Sequence, residues 1–325
     1  MGKTLKILLN AAILLIVAGF IVYMVRSVNK EETTFVASTP DAPFTSRYKA
    51  TATFELPGEI ERFEISNSQL FIVSDSVVYI YDTAGKQLAA FSIKPEARDI
   101  TIEAEQVYIL YPTFIEVYDT GGELLRAWEA CSDLSDYCSI ALAGDHVFVT
   151  DAENKNICKY TQEGNFVRFI SSPQDFIIPS YSFDIVSRND TIYCVNSGRH
   201  LIESYTPDGD FIAAFGEPGT DPGAFAGCCN PSYITFAPTG HLLTSEKGNP
   251  RITSFNPDGT FQSLLLDSKA LGGGAYAYKV KVLDDKLFVA NKNTVSIYQC
   301  DNTLAAQSPC DDCSANCPLR RGLTI

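Results

Sequence analysis

The sequence predicts an all-β fold, a six-bladed β-propeller preceded by one N-terminal transmembrane helix. An aromatic residue stands four positions before a turn residue at six places in the 325-residue chain. These aromatic residues, 37, 42, 45, 50 and 43 positions apart, are Tyr81, Tyr118, Tyr160, Tyr205, Phe255 and Tyr298. The turn residue is Gly at the first five and Asn at the last. A hairpin that recurs at this period predicts one four-stranded sheet per repeat, and therefore six blades.

Composition narrows the classes of partner. The chain is 46% hydrophobic with a formal charge of −14, and residues 1–30 contain four basic side chains and no acidic one. The rest of the chain, residues 31–325, contains 21 basic and 39 acidic side chains. Nucleic acid is therefore not a predicted partner, because its phosphates require Lys and Arg. A basic partner or a bound cation suits such a body, but an ordinary solvated surface is the preferred interpretation of its charge.

The first predicted element is a membrane anchor, residues 1–26. Residues 7–25 form an apolar run interrupted by Asn10, long enough to cross the ~30 Å hydrocarbon layer. No small-residue cleavage site follows, which favours an uncleaved signal anchor. The short N-terminal tail places the body outside the cytoplasm, in the periplasm or at the cell surface. Residues 27–46 are polar, contain Pro40 and Pro43, and are interpreted as a linker.

The propeller is predicted over residues 47–303. In the third repeat, residues 147–151 and 157–160 alternate as half-buried strands do, and a polar turn separates them. Gly164 then permits the positive φ of a tight hairpin before the next strand. Residues 47–56 also alternate, so we expect them to supply a strand that closes the ring with the last blade.

Residues 215–252 carry a resemblance to a known family. A Gly-rich loop that ends at Phe225 is followed by Pro231, a strand, the Gly240 turn, a second strand, Asn249 and the pair Arg251-Ile252. This order resembles the NHL-repeat propellers, and the resemblance covers about residues 54–303. It implies the fold and leaves the function open, because relatives include binding modules, lyases and lactonases.

One departure from the family pattern and one polar cluster give candidate sites. Five residues separate Phe225 from Pro231, where the family usually has about two, and they bring in the adjacent Cys228 and Cys229. The predicted ligand-binding cluster is Glu246, Lys247, Asn249 and Arg251. The resemblance implies that the Asn and Arg of such a cluster brace the turn, so bracing and ligand contact are alternatives.

No catalytic residue is predicted. The three histidines, His146, His200 and His241, have no partner at a metal-ligand spacing, and the chain has no nucleophile elbow, phosphate-binding loop or dinucleotide fingerprint.

Ten cysteines in an exported chain predict disulfides first. Cys131 and Cys138 flank a short loop, which favours a local disulfide, and Cys228 and Cys229 are a disulfide or redox pair by the same reasoning. Cys158 and Cys194 lie in predicted strands, where a reduced cysteine serves as a small core residue.

The tail, residues 304–325, is Cys-rich. Cys310, Cys313 and Cys317 are followed by Pro318, a spacing that resembles the end of the bacterial ferredoxin ligand run. The preceding ligand is missing because position 307 is Gln, so Cys300 or the Cys228–Cys229 pair would replace it. An iron–sulfur cluster, a zinc site and disulfides all remain open for these thiols.

Three functions follow from these features, in order of preference. The first is a membrane-anchored scaffold that binds an envelope protein or a ligand. The second is a redox or electron-transfer accessory protein that uses the tail cysteines as iron–sulfur ligands or redox thiols. The third is an enzyme of the lactonase or lyase type.

Overall fold

A computed structural model describes residues 46–301, which form six four-stranded antiparallel sheets. The predicted anchor, nearly all of the linker and the Cys-rich tail lie outside the described residues. Within residues 46–301 there is no helix with the length and apolar character needed to cross a membrane. The predicted six-bladed propeller is confirmed.

Strands follow one another from the axis outward in each of the first five blades. Blade 1 contains β2 (Ile60–Ser66), β3 (Gln69–Ser74), β4 (Val77–Asp82) and β5 (Gln87–Ser92). Blade 2 contains β6 (Asp99–Glu103), β7 (Gln106–Leu110), β8 (Phe114–Asp119) and β9 (Leu124–Glu129). Blade 3 contains β10 (Tyr137–Ala143), β11 (His146–Asp151), β12 (Asn156–Thr161) and β13 (Phe166–Ile170).

Blade 4 contains β14 (Ile185–Arg188), β15 (Thr191–Asn196), β16 (Leu201–Tyr205) and β17 (Phe211–Phe215). Blade 5 contains β18 (Tyr233–Phe236), β19 (Leu242–Ser245), β20 (Ile252–Phe255) and β21 (Phe261–Leu266). Blade 6 contains β22 (Lys279–Leu283), β23 (Lys286–Asn291), β24 (Thr294–Cys300) and, as its outer strand, β1 (Tyr48–Glu55). Two 3₁₀ turns, Pro179–Tyr181 and Ser197–Arg199, lie in blade 4.

The ring is closed by the first strand of the described chain. β1 runs antiparallel to β24, with Tyr48 opposite Cys300 and Glu55 opposite Thr294. Blade 6 therefore takes three strands from one end of the chain and one from the other, as the alternation in residues 47–56 predicts.

The innermost strands surround a central channel. Each of β2, β6, β10, β14, β18 and β22 contacts the next one around the axis, and β22 contacts β2 again. Hydrophobic clusters fill the spaces between neighbouring blades: Phe71 and Val73 of blade 1, for example, pack with Val107 and Ile109 of blade 2. This packing fixes the inner strands and hence the side chains that face the channel.

The hairpin glycines after the aromatic positions have the predicted backbone conformation. Gly85, Gly122, Gly164, Gly209 and Gly259 all have φ between 85° and 92°. At Gly259 an added Cβ would lie 2.4 Å from the ring of Phe215 in the neighbouring blade, so the turn also needs the absence of a side chain.

We expect Gly259→Ala to lower the free energy of unfolding by at least about 1 kcal/mol more than Gly248→Ala. Both glycines have similar positive φ values, +85° and +84°, so both substitutions carry the same left-handed backbone cost. Only Gly259 faces a neighbouring ring, because nothing lies within 4 Å of a Cβ at Gly248. Urea unfolding of both variants checks the difference, and equal costs would contradict the packing argument.

Candidate functional site at the mouth of the central channel

A ring of six polar residues, one from each blade, crosses the channel. Each lies at the start of an inner strand or directly before it, at the same register position: Arg62 is opposite Val73, Asp99 opposite Leu110 and Ser139 opposite Thr150. The members are Arg62, Asp99, Ser139, Asp184, Tyr233 and Lys279, and all six line the channel cavity. We call them the channel ring.

Arg62 joins the two aspartates of the channel ring. Its Nε lies 3.0 Å from Asp99 Oδ1, its Nη2 forms an ion pair with Asp184 Oδ1, and its guanidinium stands 4.4 Å from the centre of the Tyr233 ring. Each aspartate also accepts a backbone N–H from the next blade: Asp99 from Ile140 at 2.9 Å, and Asp184 from the residue after Tyr233 at 2.7 Å. The ion pairs and these hydrogen bonds together connect blades 1 to 5.

The charges of the channel ring balance in a buried setting. Burial disfavours the charged form of Arg62, but Asp184 and Asp99 outweigh it and raise the pKa of the guanidinium. Burial raises the pKa of Asp184 against the attraction of Arg62. Burial, with Arg62 nearby, lowers the pKa of Lys279, whose Nζ donates to Ile60 O at 2.9 Å. Two cations and two carboxylates make the ring a neutral layer.

Above the channel ring lies a pocket of about 500 Å³, which we call the mouth pocket. It is formed by the loops that precede the inner strands and by turns between the second and third strands of blades. Its cationic side chains are Arg62, Arg98, Lys247, Lys279 and Lys292, and its acidic side chains are Glu59, Glu61 and Asp184. Cationic side chains outnumber acidic ones in this lining by five to three, although the chain as a whole is acidic, and Arg62 and Arg98 are also paired with Asp99 and Asp136 outside the lining.

Two exposed tyrosines flank the mouth pocket, each beside a cation. Tyr181 and Tyr276 are both 59% exposed. The guanidinium of Arg98 lies 5.9 Å from the Tyr181 ring centre, and Lys292 Nζ lies 5.7 Å from that of Tyr276. Tyr181 is also held at φ 56°, as is the preceding residue, and a bulky residue in this region is rare and costs energy. The fold thus holds exposed aromatic surface beside positive charge.

The predicted polar cluster divides between two roles. Arg251 and Glu246 form a buried ion pair, Arg251 Nη1 donates to Thr220 O at 2.8 Å, and Glu246 Oε2 accepts from Ala226 N at 3.0 Å. These contacts brace the loop that carries Cys228 and Cys229. Ligand contact through either residue stays a prediction.

Lys247 and Asn249 differ from that pair. Lys247 lines the mouth pocket and its Nζ donates to Ser182 Oγ at 3.1 Å, whereas Asn249 is exposed and does not line the pocket. Of the four predicted ligand-binding residues, Lys247 alone lines the mouth pocket.

The expected local disulfide between Cys131 and Cys138 stays a prediction, because both are free thiols in the structure. Cys131 Sγ lies 3.1 Å from Cys158 Sγ in the third strand of blade 3. Cys138 instead directs its thiol to Asp136 O at 3.7 Å, and burial raises its pKa to about 12. Loop closure between Cys131 and Cys138 depends on short sequence separation, but packing between blades brings Cys131 to Cys158.

The remaining cysteines are more dispersed. Cys194 is fully buried in β15 and serves as a core residue, and burial raises its pKa well above the ordinary value. Cys228 Sγ and Cys229 Sγ lie 3.2 Å apart on the loop before blade 5. Cys300 ends β24, while Cys310, Cys313 and Cys317 lie outside the described residues.

Metal ligation by the tail cysteines stays a prediction. No group of three or more His, Cys, Asp or Glu side chains suited to a metal ion is found between residues 46 and 301. The iron–sulfur hypothesis depends on the tail, which lies outside the described residues, and the role of Cys300 or the Cys228–Cys229 pair as the fourth ligand stays a prediction.

The histidines lie away from the mouth pocket and have local contacts. His200 Nε2 is hydrogen-bonded to Gly227 O, His241 Nδ1 lies 2.8 Å from Thr239 Oγ1, and His146 begins β11 beside Phe148. Sequence reasoning missed the channel ring and the two tyrosines. A signal for the ring was present, because in blades 1, 2, 3, 4 and 6 the ring residue is charged or is a serine and is followed directly by an apolar residue.

The fold is similar to that of solved propellers. The *Neurospora crassa* Pan2 WD40 domain matches with 10% identity and a TM-score of 0.55, over 80% of this chain and 97% of that one. A streptogramin B lyase matches with 13% identity and a TM-score of 0.57, over 78% and 97%. A catalytically inactive histidine-to-alanine variant of *Staphylococcus aureus* virginiamycin B lyase with quinupristin matches with 17% identity and a TM-score of 0.54, over 76% and 83%.

At these identities the likeness is one of fold. No family model matches the chain, and no curated protein sequence matches it. The NHL-repeat resemblance therefore stays a prediction, whereas the six-bladed propeller is supported by both the structure and its solved counterparts.

Proposed function

We propose that this protein is a binding scaffold that holds a partner through the mouth pocket, and that the group it recognises there is a carboxylate. The observation that carries the proposal is the positive, tyrosine-flanked pocket in an otherwise acidic protein. Interfaces are enriched in tyrosine and arginine, which supply large contact area and directed hydrogen bonds. The strained backbone at Tyr181 supports a binding role, because such strain concentrates at functional sites.

A carboxylate fits better than a cation. Lys247 and Lys292 bring ammonium groups to the rim of the mouth pocket. Arg62 is already satisfied by two carboxylates, so a bound anion would contact the rim cations rather than the channel ring. The neutral ring would act as a floor that closes the pocket from the channel below.

A lyase activity is less well supported than binding. The *S. aureus* lyase is described as catalytically inactive when one histidine is replaced by alanine. Here none of the histidines of the described residues lines the mouth pocket or the channel cavity. The similarity to the lyases is one of fold and does not bring their chemistry to this chain.

Binding of a fluorescein-labelled glutamate-rich peptide tests the proposal. At physiological ionic strength the Debye length is about 8 Å, so distant acidic surface is screened while contacts in the pocket persist. We expect saturable binding by fluorescence anisotropy, weakened about fivefold by Lys247→Met or Lys292→Met, which corresponds to about 1 kcal/mol.

Lys281→Met is the matched control, since Lys281 lines the channel cavity but not the mouth pocket and pairs with Glu64 at 2.6 Å. Equal affinities for all three variants, or no saturable binding at all, would end the proposal.

We also propose that residues 7–25 hold this scaffold at a membrane with the propeller on the extracytoplasmic side, where an envelope protein is its partner. The apolar run and the polar linker support this arrangement. Resistance to alkaline extraction, together with protease digestion of the propeller in intact spheroplasts, is the expected result. Protection of the propeller until the membrane is lysed would reverse the orientation.

A further inference from the structure

Cys228 and Cys229 form a preorganised dithiol beside the mouth pocket. Their sulfur atoms lie 3.2 Å apart, although neighbouring side chains in an extended chain point in opposite directions. The loop owes its shape to the residues that depart from the family pattern. Gly227 has φ 75°, and Asn230 turns its side chain back into the loop.

The loop is held on several sides. Asn230 Nδ2 donates to Ala226 O at 2.7 Å and to Lys247 O at 2.9 Å, and its Oδ1 accepts from Lys247 N at 2.9 Å. His200 binds Gly227 O, and Glu246 binds Ala226 N. A supporting shell this complete is typical of a site whose geometry matters.

The two thiols differ in access and in surroundings. Cys228 is exposed, whereas Cys229 is buried with 7% of its surface accessible. Burial disfavours the thiolate of Cys229, but hydrogen bonds from Cys228 and Lys247 outweigh it and lower the pKa of Cys229. The contact with Cys229 raises the pKa of Cys228. Cys228 is therefore accessible to a large substrate, and Cys229 can carry a negative charge beside it.

We propose that Cys228 and Cys229 are a thiol–disulfide exchange site whose substrate is a disulfide, either of a small molecule or of a protein. Cys228 passes its proton to the Cys229 thiolate across their 3.2 Å contact, and the resulting Cys228 thiolate attacks one sulfur of the substrate. The substrate S–S bond breaks, and the departing sulfur takes that proton from Cys229. The Cys229 thiolate then attacks Cys228 Sγ and expels the second substrate sulfur, which takes up a proton from water. Two cysteine thiols become one vicinal disulfide, and the substrate disulfide becomes two thiols.

This site is distinct from the other close cysteine pair. Cys131 and Cys158 pack in the hydrophobic cluster between blades 2 and 3. Burial, together with the neighbouring Cys131, raises the pKa of Cys158. Cys158 is therefore a structural thiol whose exchange with disulfides is slow.

Glutathione disulfide is the probe, applied to the reduced full-length protein and followed by peptide mapping with mass spectrometry. The wild-type peptide that contains residues 228 and 229 should lose two hydrogen atoms and retain no glutathione. Cys229→Ser should keep one glutathione on Cys228, because nothing resolves the mixed disulfide. Cys228→Ser should react at least about tenfold more slowly, because Cys229 is buried.

The same experiment on a Cys310→Ser/Cys313→Ser/Cys317→Ser background excludes exchange with the tail. Cys194, which is fully buried, is the internal control and should remain a thiol throughout. Retention of glutathione on the wild-type pair, unreacted thiols, or equal rates for the two single variants would each overturn the proposal. The wild-type result decides even if a variant folds poorly, and it does not depend on carboxylate binding at the mouth pocket.

Discussion

Arg62→Met will lower the free energy of unfolding by about 3–5 kcal/mol, the largest effect that we expect from a single substitution in this protein. Arg62 holds Asp99 and Asp184 at the centre of the channel, and the side chains of all three are almost completely buried. Without the guanidinium, two carboxylates face each other with no cation between them. The free energy of unfolding falls because two buried carboxylates are left without a cation, rather than because the ion-pair contact itself is missing. Urea unfolding measures it.

Two further variants identify the cause. Lys281→Met removes a partly exposed ion pair one layer further along the channel, and we expect it to cost no more than about 1 kcal/mol. The triple variant Arg62→Met/Asp99→Asn/Asp184→Asn should recover most of the stability, since its amide oxygens still accept the backbone N–H groups of the next blades. A triple variant as unstable as Arg62→Met would show that packing, not charge, is responsible.

The deficit of Arg62→Met should shrink as the pH falls. Burial already raises the pKa of Asp184, and removing the cation raises it further. A carboxyl whose pKa is higher in the folded protein than in the unfolded chain takes up a proton on folding. Its contribution to stability is therefore complete below the unfolded pKa and is lost as the pH rises through the folded pKa. A stability difference that grows toward acid pH would contradict this sign.

Reduction of the oxidised protein should lower its free energy of unfolding by about 3–4 kcal/mol, the second largest effect. Cys131 and Cys158 are in contact, and a bond between them closes a loop of about 28 residues, which restricts the unfolded chain by that amount. Tyr137 reinforces the arrangement, because its hydroxyl accepts from Cys131 N at 3.1 Å and contacts the Tyr160 hydroxyl. Unfolding curves with and without dithiothreitol give the difference.

The double variant Cys131→Ala/Cys158→Ala should not respond to the reductant, whereas Cys228→Ser/Cys229→Ser should respond as the wild type does. A vicinal disulfide closes almost no loop, so its loss barely changes the unfolded ensemble. Peptide mapping must find residues 131 and 158 in one linked fragment. A link between Cys131 and Cys138 would restore the pairing that the sequence suggested and remove this prediction.

The blades were predictable because their signals are local. Each hairpin needs a residue with positive φ at a fixed distance after a core aromatic residue. This pair can be recognised in the sequence without knowing where the blade lies. The closing strand was predictable for a similar reason, since alternation in residues 47–56 is itself a strand signal. The blades and the closing strand both depend on contacts that follow from the spacing of the repeats.

The site was not predictable in the same way. The channel ring assembles from residues 62 to 279, and no spacing along the chain shows that Arg62 meets Asp184. The contact between Cys131 and Cys158 could not be predicted for the same reason, because it crosses from the loop after blade 2 to the third strand of blade 3. Of the predicted polar cluster, Glu246 and Arg251 serve the loop that carries the dithiol, a role that depends on the backbone carbonyl groups of residues 220 and 224.

Closure of the ring by β1 has a consequence for assembly. Tyr48 can pair with Cys300 only after Cys300 has been synthesised. The first strand, β1, must therefore remain unpaired while blades 1 to 5 form. If β1 were apolar, it would pair with other chains while it is unpaired. Its middle residues are Lys49, Ala50, Thr51, Ala52 and Thr53, all of which stay exposed in the finished propeller. The composition of β1 thus protects the nascent protein from aggregation at the one edge that closes last.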